Sequence, residues 1–162
     1  MSKRIEELEE LSSAILINND MYKIPVDLIK IASNNKIDVY KNTLVPNVSG
    51  AIRYYKEDDR FVILLNKDDP DNRQRFTLAH ELGHYFLHKE ILKSDEVHVD
   101  TLYRISNEQE KEVDYFAGAL LMNELLLKKI YTTTTTSISE LAQLFQVSES
   151  AMTVRLDVLE LL

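Results

Sequence analysis

The sequence predicts an α+β fold: a mainly helical core carrying a small antiparallel sheet, closed by a helix-turn-helix-like pair at its C-terminus. Three observations carry that expectation. Apolar residues recur at helical spacing over most of the chain. Three short runs rich in β-branched and aromatic residues cluster within residues 36–66. The tail, "SISELAQLFQVSESAMTVRLDVLELL", reads as helix, short turn, helix.

Taken in order, Ile5, Leu8, Leu11 and Ile15 set an apolar face on a first helix ending near Asn18. "IPVDLIKIASNN" predicts a second helix, with Pro25 suited to its first turn, Ile24, Leu28 and Ile31 on one face, and Asn34 and Asn35 as its stop. "KIDVY" reads as a short strand. "SGAIRYY" and "RFVILLN", separated by the polar turn "KEDD", read as an antiparallel hairpin. "KDDPDNR" then punctuates the chain before a long periodic helix containing "FTLAHELGHYFLH". Residues 91–107 are polar and irregular. A second strong helix is expected from about Glu108 to Leu127, and the run Thr132 to Thr136 reads as a linker, because threonine is branched at Cβ and its hydroxyl competes for backbone hydrogen bonds. This divides the chain into a main domain, residues 1–130, and a linker with the helical pair, residues 131–162.

Composition limits what such a chain can do. With 162 residues and 44% hydrophobic residues, it can bury a core. Its 27 Asp and Glu outnumber 19 Lys and Arg, for a net charge of −8, so it has no global attraction to phosphate backbones or anionic membranes. The absence of cysteine excludes disulfides, thiolate zinc sites and cysteine nucleophiles. The charged N-terminus does not read as a secretory signal, no apolar run is long enough to span a membrane, and a cytoplasmic location is expected.

The chemistry lies in His80, Glu81 and His84, an H-E-x-x-H pattern. Residues four apart share a helix face, so both imidazoles can reach one ion such as Zn²⁺, which accepts neutral imidazole nitrogen. Glu81, one step round the helix, is placed to take a proton from a metal-bound water as general base. His88 continues the series, but three ligands on successive turns of a straight helix are spread too far along the axis for one ion. A packing or hydrogen-bonding role is expected for it. Gly83 inside a helix suggests close approach by another backbone element. The third ligand is expected on the next helix, where Glu110 and Asp114 stand four apart in "EKEVD". Glu110 would complete a His₂Glu set, and Asp114 would accept the other ring N–H of a ligating histidine. Glu112 is the main competitor for the ligand role and Glu108 a weaker one. Tyr85, Tyr103, Tyr115 and His98 are the candidates for stabilising an oxyanion.

These residues resemble the ImmA/IrrE-type metallopeptidases. The likeness rests on "RFTLAHELGHYFLH" and on "EKEVDYFAGALLM", similar to the family's E-x-x-A-N/D-x-F-A-x-x-L-L-M-P, and extends to "IPVDLIKIA", the hairpin and "LAQLFQVSESAMTVRL". The resemblance implies a zincin-like metallopeptidase core, His80, His84 and Glu110 as zinc ligands, and Glu81 as catalytic base. It also implies cleavage of a partner repressor of the helix-turn-helix Xre type, which relieves repression on mobile elements or in stress responses. Val113 departs from the family's alanine and Asn123 from its proline, and Gly118 adds a second helix-weakening glycine.

In the tail, Ala142 is expected where two helices cross, with Val147 and Val154 in the core. The second tail helix offers one arginine, Arg155, beside acidic residues, a poor footprint for DNA. A structural or protein-docking role is favoured over DNA reading. The rival to a peptidase is a non-proteolytic regulator that binds a repressor or DNA, with zinc only structural. Glu81 speaks against it, since a structural zinc site needs no base.

Overall fold

A computed structural model describes residues 1–94 and 105–162 of the chain. Its elements run α1 (Lys3–Asn18), α2 (Leu28–Asn34), β1 (Ile37–Asn42), β2 (Gly50–Tyr55), β3 (Arg60–Asn66), α3 (Asp71–Ser94), α4 (Asn107–Leu121), α5 (Glu124–Thr133), α6 (Ile138–Phe145) and α7 (Glu149–Val158). The class is α+β, as expected, with the helices dominant.

The sheet is mixed, in the order β1-β3-β2. β2 and β3 form the expected antiparallel hairpin, Gly50 opposite Leu65 and Tyr55 opposite Arg60. β1 pairs parallel to β3, Ile37 beside Phe61. The strand after α2 therefore enters on the far side of β3, and β2 is left as an edge. Along β3 the odd residues Phe61, Ile63 and Leu65 are buried and the even ones are half-covered, the period of two that puts one strand face on a core.

α3 lies across that buried face. Leu78, Ala79, Leu82 and Tyr85 are buried, and Tyr85 meets Phe61 edge-on with ring centroids 5.0 Å apart. The opposite side of α3 packs on α4. A Cβ on Gly83 would sit 3.0 Å from Val113 Cγ1 and 3.2 Å from Phe116 Cδ1, so the hydrogen at this position is what lets the two helices approach. The departure to valine at position 113 fills this contact. Gly50 plays the same part at the sheet: a Cβ there would lie 2.6 Å from Thr77 Cγ2 and 2.7 Å from the Leu64 carbonyl oxygen, so β2 passes close to α3.

Three boundaries and one burial differ from expectation. Pro25 precedes α2, whose N-cap is Asp27, its carboxylate accepting from the Lys30 N–H. The long second helix is two helices: α4 ends at Leu121, and the Asn123 side chain accepts from the Leu125 and Leu126 N–H groups to start α5. Asparagine thus restarts the chain where the family pattern has proline. The threonine run is part helix: α5 extends to Thr133, and the Thr132 and Thr133 hydroxyls donate back to the Lys128 and Lys129 carbonyls, four residues earlier. Finally, Val154 is 63% exposed and not in the core.

The tail pair is otherwise as expected. Ala142 and Val147 are buried, and Gln146 turns the chain in the left-handed region (φ 53°). Leu141, Phe145, Met152 and Leu156 join the same apolar cluster as α1, the sheet, α3 and α4. α7 is tied to α1 by a buried pair: Arg155 Nη1 and Nη2 donate to Glu9 Oε1 and Oε2 at 2.6 and 2.9 Å. Arg155 Nε donates to the Met122 carbonyl at 2.9 Å. The arginine that reads from sequence as the tail's one cation faces inward.

Candidate metal centre

His80 and His84 lie one turn apart on the part of α3 facing α4, and Glu110 lies in the first turns of α4, where a capping box of Ser106 and Gln109 fixes the helix start. Gly83 lets these helices meet, so the three side chains converge. His80 Nε2 and His84 Nε2 are 3.1 Å apart, Glu110 Oε2 is 3.2 Å from His80 Nε2, and Glu110 Oε1 is 3.4 Å from His84 Nε2. Among the described residues these three make up the group able to hold an ion. Three donors about 2.0–2.1 Å from a tetrahedral centre stand roughly 3.3 Å from one another, so the observed spacing fits such an ion.

The proton positions point the same way. His80 Nδ1 lies 2.8 Å from Asp114 Oδ1, and a ring N–H donating there leaves Nε2 as a bare lone pair. His84 Nδ1 lies 3.2 Å from His88 Nδ1. With His84 donating and His88 accepting, the His84 Nε2 lone pair also faces the cluster. Two lone pairs and a carboxylate thus point at one place, an arrangement that a cation relieves. Glu110 Oε1, moreover, is buried and accepts no hydrogen bond among the described residues.

The electrostatics follow from burial and from these neighbours. Burial, reinforced by the nearby His80 and His88, pushes His84 down to about 3, so its imidazole is neutral, the form that binds metals. For His80 burial opposes the charge, but the Asp114 hydrogen bond and the carboxylates of Glu81, Asp114 and Glu110 outweigh it and hold the pKa above the ordinary value. Glu81 is buried and pushed up to about 7, chiefly by desolvation, with Glu110 adding to the rise and His80 opposing it. A carboxyl poised there suits proton transfer near neutral pH.

The competitors fall away for identifiable reasons. Glu112 turns to α1, where Arg4 Nε and Nη2 donate to its two oxygens at 3.0 and 2.8 Å. Glu108 is exposed in the first turn of α4. His88 is outside the ligand group but buried against His84, and the helix kinks at it (φ −128°, ψ 22°). Of the oxyanion candidates, Tyr115 donates to Glu9 Oε1 at 2.6 Å and is pushed up to about 12 by burial and that carboxylate. Tyr85 is buried against the sheet, its hydroxyl accepting from Lys89. Both are committed elsewhere. Tyr103 and His98 lie outside the described residues.

The site opens into a cleft of about 390 Å³ lined by Val48, Gly50, Phe76, His80, Glu81 and Asp114 among others. One wall is therefore the start of edge strand β2 and the loop before it. Sequence reasoning missed this wall, and also Phe76, which stands one turn before His80. The loop shows only turn residues, and Phe76 reads as one more apolar position on a periodic helix.

Comparison with known proteins agrees with this geometry. Over 103 residues the chain is 29% identical to the metallopeptidase ImmA of Bacillus subtilis (strain 168), a match covering 64% of this chain and 58% of that protein. The solved structure of a Mycobacterium tuberculosis transcriptional regulator shares the fold, with a TM-score of 0.69 at 17% identity, over 93% of this chain and 46% of that one. The chain thus spans about half the length of these relatives. The family profile of the IrrE N-terminal-like domain matches residues 34–157, a stretch that includes the sheet, both helices of the His–His–Glu cluster and most of the tail. With that match over most of its length, the chain belongs to the ImmA/IrrE family of IrrE N-terminal-like domains, a metallopeptidase family.

Proposed function

We propose that the protein is a zinc-dependent endopeptidase that cleaves a cognate helix-turn-helix repressor of the Xre type in the cytoplasm and so relieves repression. The convergence of His80 Nε2, His84 Nε2 and the Glu110 carboxylate within 3.1–3.4 Å, with Glu81 buried beside them, is the observation that carries it. Two neutral imidazoles and one carboxylate suit zinc, with one position left for water or substrate. Bound there, the ion would supply an acidified water and polarise the scissile carbonyl.

The chain's own residues do the rest. Asp114 and His88 fix the two ring orientations through Nδ1. Edge strand β2, beside the cleft, has one side that pairs with no other strand among the described residues, along which an extended substrate can pair. Glu81 takes the proton released by the attacking water and returns it to the leaving amine nitrogen, a shuttle that needs a carboxyl able to hold a proton near neutral pH. A purely structural metal would be enclosed, whereas the Asp114 side chain is 60% exposed and the cluster borders an open cleft.

The test incubates the purified protein with zinc and a candidate Xre-type repressor from the same genome, and reads the intact mass of the repressor. Fragments from wild type, and none from a Glu81→Gln variant that keeps its zinc, are expected. Equal cleavage by Glu81→Gln would end the assignment of the base. Cleavage by neither, with zinc bound in both, would favour a regulator that binds without cutting.

A further inference from the structure

A second concavity of about 400 Å³ runs between α4 and α7, lined by Phe76, Tyr115, Met122, Ala151, Val154 and Val158, with Lys111 and Asp114 on its rim. It adjoins the cleft at the metal cluster, because Phe76 and Asp114 line both. Asp114 therefore faces the groove on one side while its Oδ1 holds His80 on the other. Phe76 also borders a third hollow against Val147, Ser148 and Ala151, at the turn into α7. Three adjoining hollows thus lie in a row from the metal cluster, past Phe76, to the exposed face of α7.

That face is apolar where it borders the groove. Val154 is 63% exposed and Val158 38% exposed, and Gly118 adds no side chain to narrow the floor. Its charges disfavour a phosphate backbone as occupant: Arg155 is buried against Glu9, and the charged residues α7 turns outward are Glu149 and Asp157. What remains is an apolar trough leading away from a peptide-cleaving centre.

We propose that the α4–α7 groove is a specificity subsite of the peptidase, taking a large apolar side chain, such as leucine, phenylalanine or methionine, from the polypeptide that lies across His80 and Glu81. The inference rests on the peptidase reading above and makes the helix-turn-helix-like tail a wall of the substrate cleft. Val154, Val158 and Phe76 grip the side chain, and the backbone continues over Asp114 to the metal cluster. Burial of one such side chain is worth about tenfold to a hundredfold in affinity.

The test uses peptide hydroxamates, which chelate the metal, extending to either side of the chelating group. One set carries leucine and phenylalanine side chains and the other alanine only. Binding to the zinc-loaded full chain is followed by calorimetry and by methyl NMR of Val154, Val158 and Met122. The apolar set on one side should bind at least about tenfold more tightly than the alanine set and shift those methyl signals. Val154→Asp, at a position 63% exposed, should remove that advantage. Hydroxamates that bind with no groove shifts, and equally to Val154→Asp, would overturn the subsite and leave the peptidase reading standing. No hydroxamate binding by zinc-loaded protein would overturn the peptidase reading and the subsite with it. Conversion of a dimer to a monomer by Val154→Asp, with hydroxamate affinities unchanged, would give the groove to a second copy of the chain and overturn the subsite.

Discussion

Replacing Arg155 with methionine should destabilise the protein far more than loss of one surface cation would. The guanidinium is 4% exposed and the Glu9 carboxylate 9%, and they meet through two parallel contacts of 2.6 and 2.9 Å. Arg155 also donates to the Met122 carbonyl at 2.9 Å, and Tyr115 donates to Glu9 Oε1 at 2.6 Å. Without the arginine, Glu9 stays buried with the Tyr115 hydroxyl as its one donor among the described residues, and breaking a buried pair in this way costs about 3–5 kcal/mol. With a urea m-value of roughly 2 kcal/mol/M, the unfolding midpoint should fall by about 1.5–2.5 M. Glu9→Leu alone should cost a similar amount, since it strands the arginine. The double variant Glu9→Leu/Arg155→Met removes both charges and should recover to within about 2 kcal/mol of wild type, because apolar replacements of similar volume need no partners. Equilibrium urea unfolding of the four proteins, followed by far-ultraviolet circular dichroism, measures the cycle. Single-variant losses below about 1 kcal/mol, or a double variant as unstable as the sum of the singles, would refute the claim that this pair holds α7 to α1.

Asp114→Asn should lower zinc affinity by about 10–100-fold without loss of fold, read by competition with a chelating dye, because the amide orients His80 less firmly and does not raise its basicity. Gly83→Ala should cost roughly 1–3 kcal/mol by overpacking Val113 and Phe116, and Val113→Ala in the same chain should restore part of it in urea unfolding. Chelator-stripped protein should show two opposed pH effects: His84, held near 3 when folded, costs stability as pH falls below its ordinary 6.5, whereas Glu81, held near 7, contributes stability that is present below 4.5 and lost as pH rises through 7. Stripped Glu81→Gln should therefore lose stability more steeply between pH 6.5 and 4.5 than stripped wild type, and equal slopes in thermal melts would contradict the Glu81 pKa.

What the sequence made legible is what depends on local spacing. The i, i+4 histidines and the Glu110/Asp114 pair are visible because a helix turns four residues onto one face, and the β2–β3 hairpin because period-two runs flank a polar turn. Long-range pairing is another matter. Glu9 reads as one acid in "IEELEELSS" and Arg155 as one base in an acidic tail, and only the docking of α7 on α1 shows that they cancel. The choice between Glu110 and Glu112 was open for the same reason: Arg4, which claims Glu112, is 108 positions away. The direction of β1 and the cleft wall at residues 47–50 depend on how the sheet is assembled, which no single strand encodes.

The cluster is built at an interface between two helices, and this ties the metal to the fold. His80 and His84 come from α3, while Glu110 and Asp114 come from α4, and the contact of Gly83 with Val113 and Phe116 sets the distance between them. Each ring is then held from outside the cluster, His80 by Asp114 and His84 by His88, where the helix kinks. Without the docked interface the donors are scattered along a chain. With it, two lone pairs and a carboxylate crowd together at a free-energy cost that only a cation or a proton offsets. A metal that binds this arrangement and not the unfolded chain stabilises the α3–α4 interface by its own binding free energy. Groups that hold α4 in place therefore act on metal affinity as well as on stability, among them the Arg4–Glu112 pair to α1 and the Tyr115–Glu9–Arg155 network to α1 and α7.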